Sequence, residues 1–221
     1  MNRIAKLVCC GLSLGTVTAA MTGCDPASLS YFLFKGDGNA PAAYPLKPAE
    51  GKKNITVAVI VSAPNAPVEF AGVERDLTNI LGRVFAEQTA KAKVHIKIID
   101  QAKLDRFKLA TPGWKTMSQT EVGKLLGADY VIEASVTGLN LYEAGTGRLM
   151  YQGQGTVSAV VYDVAAGKEH GNYFVNAKLE AKPADAVPPS QYRTLLVQRI
   201  AEEISWKHLP HQNDRRVNPV E

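Results

Sequence analysis

The chain has 221 residues, 46% of them hydrophobic and 21% charged, with a formal charge of +4. Those shares exclude wholesale disorder and a polytopic membrane protein. Once a leader holding Arg3 and Lys6 is set aside, 23 basic residues face 21 acidic ones, a near balance that points to no nucleic-acid partner. Lys91, Lys93, Lys97, Lys103, Arg106 and Lys108 cluster in sequence, but Asp100 and Asp105 interrupt them, which reads as solvated charged surface.

Residues 1–6 supply the basic Arg3 and Lys6, and residues 7–21 follow without a charge, the layout of a secretory signal peptide. The apolar run falls short of the ~20 residues that a helix needs to span a bilayer, so removal of residues 1–23 is favoured over a permanent span. The run ends in Met21-Thr22-Gly23-Cys24, which resembles the bacterial lipobox, with Met21 where leucine is more usual. The resemblance implies lipidation of Cys24 and a membrane contact made through that lipid. Cys9 and Cys10 leave with the leader and no cysteine follows Cys24, so the mature domain has neither disulfide nor thiol chemistry. A single acyl chain binds marginally, at ~0.8 kcal/mol per buried methylene, whereas two or three hold durably. Asp25 resembles the inner-membrane retention signal of enteric lipoproteins. The expected location is the cell envelope, facing the periplasm, on either membrane.

Residues 24–53 hold Pro26, Pro41, Pro45 and Pro48 among Gly and Ala and read as a lipidated tether. Within it, the apolar Tyr31-Phe32-Leu33-Phe34 either docks on the domain or lies at the lipid interface. Residues 54–207 read as one domain, and residues 208–221 as a polar tail. The β-branched, nearly continuous apolar residues 55–62 suit a strand buried on both faces. Val73, Leu77, Ile80, Leu81 and Val84 recur at helical spacing, predicting an amphipathic helix over residues 72–91. Val94-His95-Ile96-Lys97-Ile98 alternates as a second strand. Ser118-Gln119-Thr120-Glu121 is a capping box opening a short helix that stops at Gly127.

A meander follows. Tyr130, Ile132, Ala134 and Val136 share one face, and the change of phase to Leu139 and Leu141 predicts a bulge at Gly138. After a turn at Gly145-Thr146-Gly147, Leu149, Tyr151, Val157, Ala159 and Val161 fall on one face of a strand, with Gln152, Gln154, Thr156 and Ser158 on the other. Beyond Ala166-Gly167, Tyr173, Val175, Ala177, Leu179 and Ala181 alternate with polar residues in a last strand, so one sheet face is polar. Pro188-Pro189-Ser190 starts a final helix with Ser190 as cap and Tyr192, Leu196, Ile200 and Ile204 as its apolar stripe. The order β-α-β-α-β-β-β-α predicts an α/β (α+β) single domain. Its mixed sheet carries helices mainly on one face and ends in an antiparallel meander and a C-terminal helix.

This order, together with Leu125-Leu126-Gly127-Ala128-Asp129-Tyr130-Val131-Ile132, resembles the envelope lipoproteins built on the fold of the TolB N-terminal domain and of the periplasmic domain of the curli-secretion lipoprotein CsgG. The resemblance covers residues 54–207 and implies assembly or scaffolding work rather than catalysis. Pore-forming hairpins occur in the curli-secretion family, but the outward Gln and Ser of residues 139–161 are not lipid-compatible.

Chemistry is sparse. Of His95, His170, His208 and His211, only the last two are close in sequence, and Pro210 breaks the helix between them. No cysteine or evident carboxylate joins them, so no metal site is expected and a solvated tail is favoured. Gly153-Gln154-Gly155 lies within a strand, and no GxxxxGKS/T element is present to wrap a phosphate; no cofactor is expected. Asp100, Asp129, Glu133 and Glu143 are acid–base candidates by residue type, but their spacing brings no two together and no catalytic residue is expected. Trp114, after Thr111-Pro112-Gly113, sits on a long loop before the short helix, either as a lid on the core or as a partner contact. The expected function is that of a non-enzymatic, lipid-anchored module that binds other envelope proteins through the polar sheet face, a sheet edge or the Trp114 loop. The alternative is an extracytoplasmic ligand-binding protein or enzyme, which predicts a deep pocket of converging polar groups.

Overall fold

The computed structural model describes residues 39–49, 51–90 and 95–212; the leader, Cys24 and Tyr31-Phe32-Leu33-Phe34 lie outside them. Strands β2 (Asn54–Ser62), β3 (His95–Ile98), β4 (Tyr130–Tyr142), β5 (Met150–Asp163) and β6 (Lys168–Lys178) form the main sheet in the order β3-β2-β4-β5-β6, with β7 (Lys182–Pro183) added against β5. Strand β2 is parallel to β3 and β4, and every later pairing is antiparallel. The cause is connection length: helical crossovers permit parallel neighbours, and short turns force antiparallel ones. The expected bulge is present as a register shift between Val136 and Gly138.

Helices α1 (Val73–Thr89) and α4 (Pro189–His208) cover one sheet face. The stripe Tyr192, Leu196, Ile200 and Ile204 is buried as the spacing predicts, each side chain contributing about 2 kcal/mol by area removed from water. Helices α2 (Gln101–Ala110) and α3 (Gln119–Leu126) cover the opposite face of the parallel half, over Ala58, Ile60 and Val131. The capping box at Ser118 and Glu121 forms in full, and Gly127 closes α3 in the left-handed conformation at φ 69°. The segment that becomes α2 reads as loop in the sequence because Leu104 is its one buried residue. It is helical because Asp100 caps it, Oδ1 accepting from Ala102 N at 3.1 Å.

Three other expectations are revised. Leu149 is 74% exposed, because Gly145, Gly147 and Arg148 all take positive φ and turn the chain before β5 begins at Met150. The last long strand starts at Lys168, its polar first residues being held by pairing with Asp163 and Tyr162, and Ala181 lies beyond its end and is exposed. Ser190 caps nothing; Pro188 is the N-cap of α4.

Residues 39–49 and 208–212 reach further into the fold than their composition suggests. Strand β1 (Asn39–Ala40) pairs antiparallel with β8 (His211–Gln212). Residues 40–49 then run as a strap: Tyr44 N donates to Lys207 O at 2.7 Å, Leu46 is buried, and Tyr130 Oη donates to Lys47 O at 3.1 Å. Residues 40–49, read as part of an extended tether, are thus held against the domain by Tyr44, Leu46 and Lys47. His208, expected in a solvated tail, is the last residue of α4 and only 2% exposed. No helix among the described residues is long and apolar enough to cross a membrane.

Candidate functional site

Helix α4 sits close on the meander because β5 carries glycine where the helix crosses. A Cβ at Gly155 would lie 2.5 Å from Ile200 Cδ1, and one at Gly153 3.1 Å from Tyr192 Cε1. Tyr192 Oη accepts from Gly153 N at 3.1 Å and donates to Glu180 O at 2.7 Å, so the buried phenol is satisfied. The Gly-Gln-Gly run inside the strand is therefore a packing device.

With α1 and α4 on one side, the other face of the antiparallel half carries what the sequence alternation assigned to it. Ser62, Ser135, Ser158 and Phe174 lie side by side across β2, β4, β5 and β6, and Ser62 Oγ and Ser135 Oγ are 3.2 Å apart. Thr137, Asn172, Asn176 and Lys178 are exposed around them. Phe174 is 68% exposed, an aromatic standing in a field of small polar groups on an outer strand.

The carboxylates named from the sequence are not brought together. Asp100 caps α2. Asp129 holds the start of β2 and the residues just before it: Oδ2 accepts from Thr56 N at 2.7 Å and Oδ1 meets Lys52 Nζ at 3.0 Å. Glu133 stands half-buried on the open face, opposite Val160. Glu143 lies past the far end of β4, where its backbone carbonyl accepts from Thr146 Oγ1. Trp114 packs on the second core with Phe107 and Met117, and Lys108 Nζ lies 5.1 Å from its ring centroid, an arrangement of the lid kind. In the basic cluster, Lys103 donates to Leu126 O and Arg106 to Ala102 O. Among the described residues, no group of three or more His, Cys, Asp or Glu is placed to hold a metal.

A cleft of about 490 Å³ opens at the β4–β5 turn, lined by Pro67, Phe70, Leu139, Tyr142 and Arg148 among others. Arg148 takes φ 68°, its guanidinium 5.4 Å from the Tyr142 ring and paired with Glu69 at 3.0 Å.

One polar cluster has no counterpart in the sequence reading. His208 Nδ1 is 2.8 Å from Tyr44 O, which makes Nδ1 the protonated nitrogen, and Nε2 accepts from Tyr173 Oη at 2.8 Å. Tyr44 stacks on Tyr173 at 5.5 Å. Burial pushes His208 down to about 4, with His170 adding to that direction and the Tyr44 carbonyl opposing it. Burial likewise raises Tyr173. The partners are 164 and 35 residues from His208 in the chain, so no local spacing announces them. The cluster locks the strap to α4 and β6.

No family model matches the chain, and no curated protein matches it. Solved structures are similar at low score. PelC from Paraburkholderia phytofirmans, described as a dodecamer, is 12% identical in one form, with a TM-score of 0.39 over 69% of this chain and 89% of that one. Lipoprotein GNA1162 from Neisseria meningitidis is 14% identical, with a TM-score of 0.41 over 68% and 98%. Protein XCC0632 from Xanthomonas campestris is 12% identical, with a TM-score of 0.42 over 75% and 90%. Likenesses at these scores transfer neither activity nor partners.

Proposed function

We propose that the chain is a non-enzymatic envelope lipoprotein, anchored through acylated Cys24 and facing the periplasm, whose domain binds another envelope protein as an assembly or scaffold module. The leader and its Met21-Thr22-Gly23-Cys24 ending support the anchor, and the element order with the Gly127-Ala128-Asp129-Tyr130 phrase supports a TolB- and CsgG-like domain. The observation that carries the binding reading is Phe174, 68% exposed at the end of the Ser62, Ser135, Ser158 row. A rigid aromatic amid small polar groups has the make-up of an interface anchor. The cleft beside Tyr142 favours ligand binding as a second reading, although its Arg148 is already engaged by Glu69.

A photo-crosslinking residue at position 174, compared in cells with one at Leu125, which is 61% exposed on α3, tests the proposal. Position 174 is expected to capture a discrete protein that position 125 does not, and Cys24→Ala is expected to abolish both palmitate labelling and capture. Equal adducts at both positions would remove the binding face, and undiminished labelling of Cys24→Ala would remove the anchor.

A further inference from the structure

The parallel strands β2, β3 and β4 all begin at one end of the domain: Asn54 pairs with His95, and Val57 with Tyr130. The β5–β6 turn closes at that end too, with Asp163 opposite Lys168. The strap crosses the same end, from β1 beside β8, past Lys207 to Tyr130, and the Lys52–Asp129 pair lies there too. Asn39, the described residue nearest to Cys24 in the chain, therefore lies at this end.

This end is rich in uncommitted lysine. Lys47, Lys53, Lys124 and Lys168 are exposed and Lys207 is half-buried, and none is in an ion pair among the described residues. The carboxylates nearby are partly occupied: Asp129 by Lys52 and Thr56 N, Asp163 by Ala166 N, and Glu169 by Asn172; Glu50 adds one more in sequence. Lys124 and Lys207 sit in the last turns of helices, where a cation complements the helix dipole. That account does not reach Lys47, Lys53 or Lys168, which lie outside any helix. Half-buried Trp206 stands in the last turn of α4, stacked on His211 at 4.9 Å with Arg199 4.6 Å from its ring, next to the β1–β8 pair.

We infer that this end is a docking surface for anionic phospholipid headgroups, the leaflet that holds the anchor. The inference rests on the lipid-anchor reading. Fourteen residues separate Cys24 from Asn39, at most about 50 Å of extended chain, so the anchor confines the domain within that reach of the leaflet and the charge of the basic end supplies the orientation. Lysines within a Debye length of a negative surface add attraction, and indole rings favour the interface. Docked this way, the domain turns its β4–β5 turn away from the bilayer.

The test uses the mature lipidated protein carrying Trp114→Phe, which leaves Trp206 as its one tryptophan, incorporated through its own anchor into vesicles of phosphatidylcholine with or without phosphatidylglycerol. Brominated lipid is expected to quench Trp206 in the anionic vesicles, less in the neutral ones, and less again at high salt. Replacing Lys47, Lys53 and Lys168 together by Gln is expected to lower the docked-to-undocked ratio by about fivefold per lysine. The equal charge change Arg75→Gln, Lys178→Gln, Lys182→Gln at the other end is expected to leave it unchanged. Quenching indifferent to lipid charge and salt, or equal loss in both triples, would overturn the inference. Protein that fails to stay with neutral vesicles would instead refute the anchor, and its flotation with anionic vesicles would still read the basic end by itself.

Discussion

Acidification is expected to loosen the joint between strap and domain at His208. In the unfolded chain this imidazole takes up its proton near pH 6.5; in the folded protein burial delays uptake to about 4. Between those values the unfolded state binds more protons, so the stability present above pH 6.5 declines as the pH falls and levels off below the folded value. At about 1.4 kcal/mol per unit, the loss at pH 5 is about 2 kcal/mol, and the full loss about 3 kcal/mol. Protonation would also set a second N–H against Tyr173 Oη, which now donates to Nε2. Urea unfolding followed by far-ultraviolet circular dichroism at pH 7.5, 6 and 5, for the native protein and His208→Gln, isolates the effect, since other titrating groups cancel in the difference. The variant should be weaker at pH 7.5 by about 1–3 kcal/mol for its damaged hydrogen bonds, and the gap should close toward pH 5. Parallel stability curves across that range would show that the ring does not control the acid response.

Two further outcomes follow from contacts at the same end. Asp129→Ala removes the acceptor of Thr56 N and is expected to cost about 1–3 kcal/mol, whereas Lys52→Ala, on the exposed side of the same pair, is expected to cost under about 1 kcal/mol; equal losses by chemical denaturation would contradict this division. In Gly171→Ala the new methyl overlaps the Tyr44 ring. The strap should lift, so that limited proteolysis cuts within residues 39–49 while amide protection in β4 and β5 persists; an uncut strap would show that Tyr44 adapts at no cost.

Local patterns carried much of the fold. The uniform run of β2, the 3.6-residue period of α1 and α4, the capping box at Ser118 and the phase change at Gly138 are each written within one turn or one strand, and they are where the periods place them. Helix α2 escaped because a surface helix with a single buried residue, Leu104, leaves no stripe to detect; its signal was Asp100 acting as a cap rather than as an acid. The strap escaped for the opposite reason: its proline content is that of a linker, and only Tyr44, Leu46 and the distant Tyr130 and His208 turn it into structure. The open face was legible from the alternation of β5 and β6, but the exposed Phe174 was not, because its significance depends on a row of serines contributed by three other strands. The buried histidine required three segments to converge, which spacing along a chain does not encode.

The pairing of β1 with β8 sets Asn39 and Gln212 side by side. If the domain docks as inferred, a fluorescent protein or purification handle placed directly after Gln212 would be crowded toward the bilayer, while an insertion between Glu143 and Leu149 would project on the opposite side. Reporters for this protein are best built into that loop.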